Sequence, residues 1–452
     1  MNHLTMRILT TFSALLLLCV GLTAQESVAL RVGTLITNDG KVLEDATVLV
    51  ENGRITQVGN DIDLPFDVLL REFPDATLFP GFCEAHTSSG TDRANENVPI
   101  APFLDVKDSI DPVAFFYEDE LRGGTVAIGV IPGNNCVIGG RGRVVAPHGM
   151  TVEAMTVSAQ MGMKVAFGPK RRWSRAAQLA ELRDAVATLE LKLEQKGQAL
   201  LDGGARDEEL RAAGDDIKDK SDDGDGVDNR PGFVTFGEDY PGKALISEED
   251  VSETDRDMVK LLNGDYRLWV YAPTATDIDH AISWLAKWEL TDQTVFVVTA
   301  PAWRGAEMLQ ETGRPVVLSG SLWDINIDPV TLEEERIFAP VKLLEAGVAV
   351  AIGSNKSRLG PDRLSYQAAT CIREGMSRSE AMAAVTTAAA RAWGLEQQVG
   401  KIAPGFDGSF VLLNGDPLAQ TSKVLGVWVR GSRVYDRATD ERLQRLEEGG
   451  LK

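Results

Sequence analysis

The sequence predicts an α/β fold: a TIM-type (β/α)8 barrel with a small composite β-sandwich made from both chain ends. Strand-like and helical segments alternate through the middle of the chain, and short strand-like runs stand at both ends. A chain of 452 residues can form one barrel and a smaller domain. We therefore expect a signal peptide at 1–25, the sandwich at 26–78 plus 397–438, the barrel at 79–396 and a C-terminal tail at 439–452.

The first 25 residues have the composition of an export leader. Arg7 supplies positive charge, residues 8–22 are mostly apolar, and Thr23-Ala24-Gln25 offers small residues, so we expect cleavage near Ala24 or Gln25. The apolar stretch is too short to span a bilayer comfortably. A lipid anchor at Cys19 would require a small residue before it, and leucine stands there. We predict an exported protein, periplasmic or extracellular, with no membrane attachment after leader removal.

The net charge restricts the classes of partner, and the cysteine content bears on disulfide bonding. The net charge of −21 disfavours nucleic acid and anionic membranes, because both would repel the chain. Cys83, Cys136 and Cys371 remain after leader removal, and an odd, scattered set in apolar surroundings does not form a disulfide framework. We expect three buried free thiols.

The two chain ends carry the predicted sandwich strands. From 28 to 58 the residues alternate as in strands, with turn residues at 38–40 and 51–53. A matching set returns at 408–413, 424–429 and 433–435. These two sets predict one small domain shared by both ends.

The middle of the chain predicts the barrel. The predicted strands are 124–130, 267–271, 294–299, 315–318 and 348–352. The predicted helices are 173–195, 278–288, 305–312, 340–346 and 379–393. A polar, acidic insertion occupies about 195–255; its run Asp222–Asp228 resembles a calcium loop but lacks the closing glutamate, which favours a solvated surface segment.

One stretch, Leu78–Gly90, organises the predicted site. An apolar run ends in Pro-Gly, and a second short run then delivers Glu84, His86 and Ser88. Residues two apart on a strand point to the same face. The C-terminal end of a barrel strand is where catalytic groups usually stand, so we expect His86 and Ser88 at the barrel mouth.

This stretch resembles the first-strand signature of the metal-dependent amidohydrolase superfamily, in particular its imidazolonepropionase-like members. The signature runs Pro-Gly, two hydrophobic residues, then Asp-x-His-x-His. Residues 399–408, Val-Gly-Lys-Ile-Ala-Pro-Gly-Phe-Asp-Gly, are similar to a second family stretch. The resemblance implies the barrel fold and a metal that activates water. It also implies ligands from the His-x-His pair, from one histidine on each of strands five and six, and from an aspartate on strand eight that also acts as base.

The ligand positions implied by this resemblance are mostly occupied by other residues. Only His86 matches a family ligand, and the base position holds Asn355, a neutral amide that is not basic at pH 7. One imidazole with neutral oxygens does not satisfy tetrahedral zinc. We therefore expect a dismantled metal site, no cofactor, and zinc binding to be unlikely. The other substituted positions are Glu84 for the aspartate, Ser88 for the second histidine, Tyr271 and Pro273 on strand five, and Thr299 on strand six.

Two further segments resemble family stretches near the mouth. The glycine-rich run 132–142 contains Asn134, which is either part of a tight structural loop or a ligand contact. The segment 162–171, Gly-Met-Lys-Val-Ala-Phe-Gly-Pro-Lys-Arg, brings Lys170 towards the mouth, as an anion contact or as solvated surface charge. The pocket candidates are therefore His86, Ser88, Asn134, Lys170, Tyr271, Thr299 and Asn355.

Two functions remain open from the sequence. The first is a non-catalytic protein: a partner of an active amidohydrolase paralogue or of itself, or a binder of a small molecule in the barrel mouth. The alternative is a hydrolase acting on carbon–nitrogen (non-peptide) bonds with a rearranged site that uses Glu84, Lys170 or Asp92.

Overall fold

The computed structural model describes residues 27–38, 41–212, 232–357, 360–447 and 449. The predicted leader and the run Asp222–Asp228 lie outside these residues. Within the described ranges no helix is both long enough and apolar enough to cross a bilayer.

Nineteen strands and eleven α-helices make up the described part of the chain. The strands are β1 (Val28–Ile36), β2 (Val42–Glu51), β3 (Arg54–Gly59), β4 (Leu69–Phe79), β5 (Phe82–Thr87), β6 (Thr125–Val130), β7 (Ile138–Val145), β8 (Thr156–Ala166), β9 (Leu268–Tyr271), β10 (Thr294–Val298), β11 (Val316–Leu318), β12 (Trp323–Ile327), β13 (Glu334–Phe338), β14 (Val350–Ile352), β15 (Asn355–Ser357), β16 (Gly360–Asp362), β17 (Phe410–Leu413), β18 (Val424–Val429) and β19 (Ser432–Asp436). The helices are α1 (Phe115–Gly123), α2 (Val152–Met155), α3 (Arg175–Ala212), α4 (Glu253–Leu262), α5 (Ala275–Lys287), α6 (Ala306–Thr312), α7 (Ala339–Glu345), α8 (Leu364–Arg373), α9 (Arg378–Ala384), α10 (Thr387–Trp393) and α11 (Glu441–Glu447).

Eight strands form the nearly closed sheet of a TIM-type barrel, in the order β14-β11-β10-β9-β8-β7-β6-β5. Counted along the chain, β9, β10 and β14 are its fifth, sixth and eighth strands, as the sequence resemblance implied. One strand differs from an all-parallel barrel: β7 runs antiparallel to both β6 and β8.

The antiparallel strand β7 contains much of the glycine-rich run that we predicted as a mouth loop. A Cβ atom on Gly140 would lie 2.4 Å from the carbonyl oxygen of Leu104, and one on Gly142 would lie 2.9 Å from the side chain of Ile131. The glycines therefore allow neighbouring backbone to approach a buried strand.

A second sheet joins the two chain ends, in the order β19-β18-β17-β4-β1-β2-β3. Strand β4 is its junction, because it pairs parallel with β1 and antiparallel with β17. The buried residues of this second sheet include Leu30, Phe410 and Trp428. The described strands of the two ends form one sheet, and the predicted two-layer sandwich remains a prediction.

The segment predicted as a solvated insertion is more ordered than expected. Helix α3 continues to Ala212, well beyond the predicted end at 195. Within 232–255, Val234, Phe236 and Ile246 are buried in the main core. These apolar residues anchor the otherwise polar segment to the core.

Two further elements differ in detail from the sequence expectation. The predicted helix 379–393 is divided into α9 and α10 at Thr386, whose backbone lies outside the helical region. The predicted C-terminal tail contains α11, and Arg122 of α1 donates two hydrogen bonds to Asp440 just before it. The prediction of free, buried thiols is confirmed for Cys83, Cys136 and Cys371.

Candidate functional site

The barrel mouth brings together side chains from four segments. His86 is the next-to-last residue of β5, and Tyr271 is the last residue of β9. Lys164 lies two residues before the end of β8, and Asn134 lies in the connection between β6 and β7. Because these parallel strands end at the same rim, their terminal side chains meet there.

Lys164, His86 and Asn134 form one hydrogen-bonded cluster, which we call the mouth triad. The Nζ atom of Lys164 lies 2.5 Å from Nε2 of His86 and donates to Oδ1 of Asn134 at 2.8 Å. Lys164 is fully buried and His86 is 7% exposed. The His86 ring stacks against Trp269 with centroids 6.0 Å apart, which fixes the plane of the imidazole.

Burial determines the protonation of this triad. It lowers the pKa of Lys164 to about 7. Burial, and secondarily the Lys164 charge, lower the pKa of His86 well below its usual value. The imidazole is therefore neutral at pH 7, and its Nε2 accepts from Lys164 whenever that side chain is a charged ammonium.

Glu84 is a buried carboxyl group on the same strand as His86. Its Oε2 accepts a 2.8 Å hydrogen bond from the backbone N–H of Ser354, while Oε1 has no partner in the described part of the chain. Burial and then the charge of Glu120 raise the pKa of Glu84 to about 8. This carboxyl group is therefore mostly protonated at neutral pH.

Helix α3 holds the loops of the mouth through Gln178. This side chain is fully buried and donates to the carbonyl oxygens of Cys136 and Ala166, both at 2.8 Å. Its Oε1 accepts from the backbone N–H of Lys170 at 3.1 Å. One amide thus joins the loop that carries Asn134 to the loop that follows Lys164.

Several predicted site residues are not part of the triad. The ammonium group of Lys170 lies 5.2 Å from the centre of the Trp173 ring. The hydroxyl group of Thr299 donates to the carbonyl of Pro273 at 2.8 Å. Asp92 is exposed and accepts a hydrogen bond from the hydroxyl group of Ser109.

Ser88 and Asn355 were also predicted at the mouth. Ser88 follows the end of β5, so strand alternation does not set its orientation relative to His86, and its carbonyl accepts from Thr91. Asn355 begins β15, just after the eighth barrel strand, and its side chain lies outside the described part of the chain.

Lys164 was not among the pocket candidates predicted from the sequence. It stands in the same quoted segment as Lys170, which was chosen because it adjoins Arg171 and Arg172. The sequence did carry a signal, because Lys164 stands alone between apolar residues. A lysine in such a position is expected to be buried, and buried lysines are rare unless they have a partner.

The donor groups around His86 do not suit a zinc ion. Among the described residues, no group of three or more histidine, cysteine, aspartate or glutamate side chains could hold a metal. The Nε2 atom of His86 lies 2.5 Å from the Lys164 nitrogen, so this ring nitrogen is already engaged within the chain. Zinc requires at least three good ligands, and this triad offers one imidazole and one neutral amide.

A family model matches the C-terminal part of the chain, and a curated relative matches about a fifth of the chain's length. Residues 340–435 match the family described as the amidohydrolase family. Amidohydrolase tasK of Hapsidospora irregularis is 32% identical over 94 residues, which are 21% of this chain and 10% of the relative. The chain thus matches about a tenth of the length of that curated relative.

Solved structures match nearly the whole chain. An amidohydrolase from Thermotoga maritima MSB8 superposes with a TM-score of 0.68 and 22% identity, covering 91% of this chain and 100% of that one. This likeness shows a shared fold. A zinc-bound adenosine deaminase from Xanthomonas campestris has a TM-score of 0.49 and 16% identity over 94% of this chain and 96% of its own.

Proposed function

Because residues 340–435 match the amidohydrolase family and the fold is shared, we propose that the chain is an exported member of the amidohydrolase superfamily. In this proposal its metal centre has been replaced by protein side chains, and the protein binds its ligand or partner without hydrolysing it. Membership supplies the barrel and its mouth, whereas function depends on the groups that the mouth contains.

One observation carries this proposal: the Lys164 amine lies 2.5 Å from Nε2 of His86. His86 is the residue that matches a family ligand, and its lone pair already accepts a hydrogen bond from within the chain. A cationic or neutral amine at this distance stands where a metal bound to His86 would have to lie. The amine thus takes the electrostatic place of the metal without its ability to ionise water.

The residue types at the other ligand positions support the same proposal. Strand five ends at Tyr271, and Pro273 lies two residues further on. Thr299 follows strand six, and the position of the family base is occupied by Asn355. The Thr299 hydroxyl is engaged with the backbone of Pro273. None of these residues adds an imidazole or a carboxylate.

Without a metal, two non-catalytic roles fit this architecture. A small molecule at the mouth would contact Asn134 and Tyr271, which are half-buried, whereas Lys164 is fully buried. Alternatively, the barrel associates with an active paralogue or with a second copy of itself. The export proposal rests on the leader-like composition of residues 1–25.

Metal analysis combined with an activity screen tests the proposal. The protein is purified from zinc-supplemented medium, its metal content is measured, and hydrolysis of cyclic amides and dipeptides is assayed. We expect far less than one zinc per chain and no turnover. One zinc per chain in the wild type, lost in His86→Ala with an unchanged melting temperature, would contradict it.

A thermal-shift screen of small amides and carboxylates then separates the two roles. A small-molecule binder should show a stabilising ligand whose effect disappears in Asn134→Ala. A purely partner-binding protein should show no such ligand, and its melting temperature should instead rise on addition of the purified paralogue.

One observation favours the alternative hydrolase. The mouth contains an amine with a pKa of about 7, Lys164, and the strand that carries His86 also carries a buried carboxyl group with a pKa of about 8, Glu84. Such shifted groups are typical of acid–base sites. If chelator-treated protein hydrolyses a carbon–nitrogen bond, and Lys164→Met abolishes the activity while the fold is retained, the alternative replaces the first proposal.

A further inference from the structure

A second cavity lies away from the barrel mouth, among α3, the segment 234–240 and the end of α5. Its volume is about 840 Å³, within the range of sites that hold small organic molecules. Leu262 and Leu290, which line it, precede β9 and β10, so the cavity adjoins the N-terminal ends of the barrel strands. The mouth triad lies at the opposite, C-terminal ends.

Three aromatic rings belong to the cavity wall: Phe236, Tyr240 and Trp288. Phe236 and Trp288 meet edge to face with centroids 6.0 Å apart. Two of the rings already accept ammonium groups from the chain, since the Nζ of Lys287 lies 4.6 Å from the Trp288 ring and that of Lys243 lies 5.8 Å from the Tyr240 ring. Aromatic rings placed in this way attract ammonium groups electrostatically.

The wall is also strongly acidic. Its only lining cation among the described residues is Lys287. Glu190 and Glu194 stand four residues apart on α3, a spacing at which two like charges repel each other. Neither forms an ion pair within the described part of the chain. The lining carboxylates are Glu190, Glu194, Glu238, Asp239 and Glu289.

Two hydrogen-bond donors of the wall lack an acceptor. Nε1 of Trp288 and the hydroxyl group of Tyr240 are buried and have no partner in the part of the chain that the structure describes. Trp288 as a whole is only 8% exposed. A buried donor without an acceptor destabilises a protein, and a bound oxygen atom would relieve that cost.

We propose that this cavity is a binding site for a small organic ammonium ion that also carries an oxygen acceptor. The cation packs on the aromatic rings and is neutralised by Glu190 and Glu194, while the oxygen accepts from Trp288 or Tyr240. A neutral ligand would leave the two glutamates unneutralised, and an anionic one would be repelled by them.

Calorimetric titration with choline tests this site, because choline combines a quaternary ammonium group with a hydroxyl group. We expect saturable binding to one site per chain. Dimethylbutanol, its uncharged carbon isostere, and betaine, which adds a carboxylate, should bind much more weakly. The double variant Glu190→Gln/Glu194→Gln should bind choline at least about tenfold more weakly.

A matched control removes the same charge from the same helix. Glu181 and Asp184 lie on α3 outside this cavity, so Glu181→Gln/Asp184→Asn should leave choline affinity unchanged. Melting temperatures confirm that each variant is folded. The proposal is overturned if choline shows no saturable binding at millimolar concentration, if dimethylbutanol binds equally well, or if both double variants weaken choline binding alike.

Discussion

Lys164 Nζ and His86 Nε2 lie 2.5 Å apart, so one nitrogen must donate and the other accept. The lowered pKa of His86 keeps the imidazole neutral, and its Nε2 accepts when Lys164 is a charged ammonium, which has only donors. The contact joins β5 to β8 across 78 positions of the sequence.

Replacing the buried amine by an apolar chain of similar length should be tolerated. For Lys164→Met we expect the free energy of unfolding to change by less than about 1.5 kcal/mol or to increase, because a buried charge is removed together with its desolvation cost. Asn134→Leu should instead lower it by about 1–3 kcal/mol, since it leaves the amine without its amide acceptor. Urea denaturation measures both values, and a larger loss in Lys164→Met than in Asn134→Leu would refute this account.

Gly353 leaves room for the buried carboxyl group of Glu84. A Cβ atom at position 353 would lie 2.9 Å from Oε1 of Glu84, closer than ordinary van der Waals contact. Gly353→Ala should lower the free energy of unfolding by about 1–3 kcal/mol. In a Glu84→Ala background the same substitution should cost less, because the overlapping oxygen is gone. Equal costs in the two backgrounds, measured by denaturant titration, would disprove the steric explanation.

Gln178 should contribute more stability than other glutamines of α3. Gln178→Ala removes three hydrogen bonds and leaves two buried carbonyl groups without a donor, which should lower the free energy of unfolding by about 2–4 kcal/mol. Gln198→Ala is the control on the same helix, because Gln198 is exposed and its side chain bonds to exposed Asp202 four residues away. We expect that control to stay within about 0.5 kcal/mol of the wild type. Similar losses in both variants would contradict the role of Gln178 as a loop clamp.

Asp440 should stabilise the protein near neutral pH through a contribution that is lost in acid. Its hydrogen bonds to Arg122 are the main cause that lowers the pKa of the carboxyl group to about 2. Stabilisation by a carboxylate with a lowered pKa is complete above the unfolded value near 3.9 and is lost as the pH falls towards about 2. Allowing for partial solvent screening, we expect a contribution of about 1 kcal/mol.

The measurement is the free energy of unfolding of the wild type and Asp440→Asn between pH 5 and pH 2. The difference between them should shrink as the pH falls. A constant difference across this range would show that the carboxylate charge contributes nothing to stability.

The sequence predicted the elements that have strong local patterns. Apolar runs gave the barrel strands at 267–271 and 315–318 within one residue, and β10 ends one residue earlier than expected, at Val298. The antiparallel pair β7 and β8 was not predicted, because glycines are typical of loops. In the folded protein these glycines allow the close approach of Leu104 and Ile131, which the sequence alone does not reveal. Local patterns cannot reveal a bond such as Lys164 to His86, whose partners meet only when the barrel closes.

The position of β4 between β1 and β17 has a consequence for synthesis. Phe79 pairs with Val411, so one edge of β4 has no partner strand until the chain has been made almost to its end. The nascent protein must keep an unpaired strand edge from associating with other chains throughout translation of the barrel. Completion of this sheet is therefore a late event, and truncation before residue 410 should yield a chain prone to aggregation.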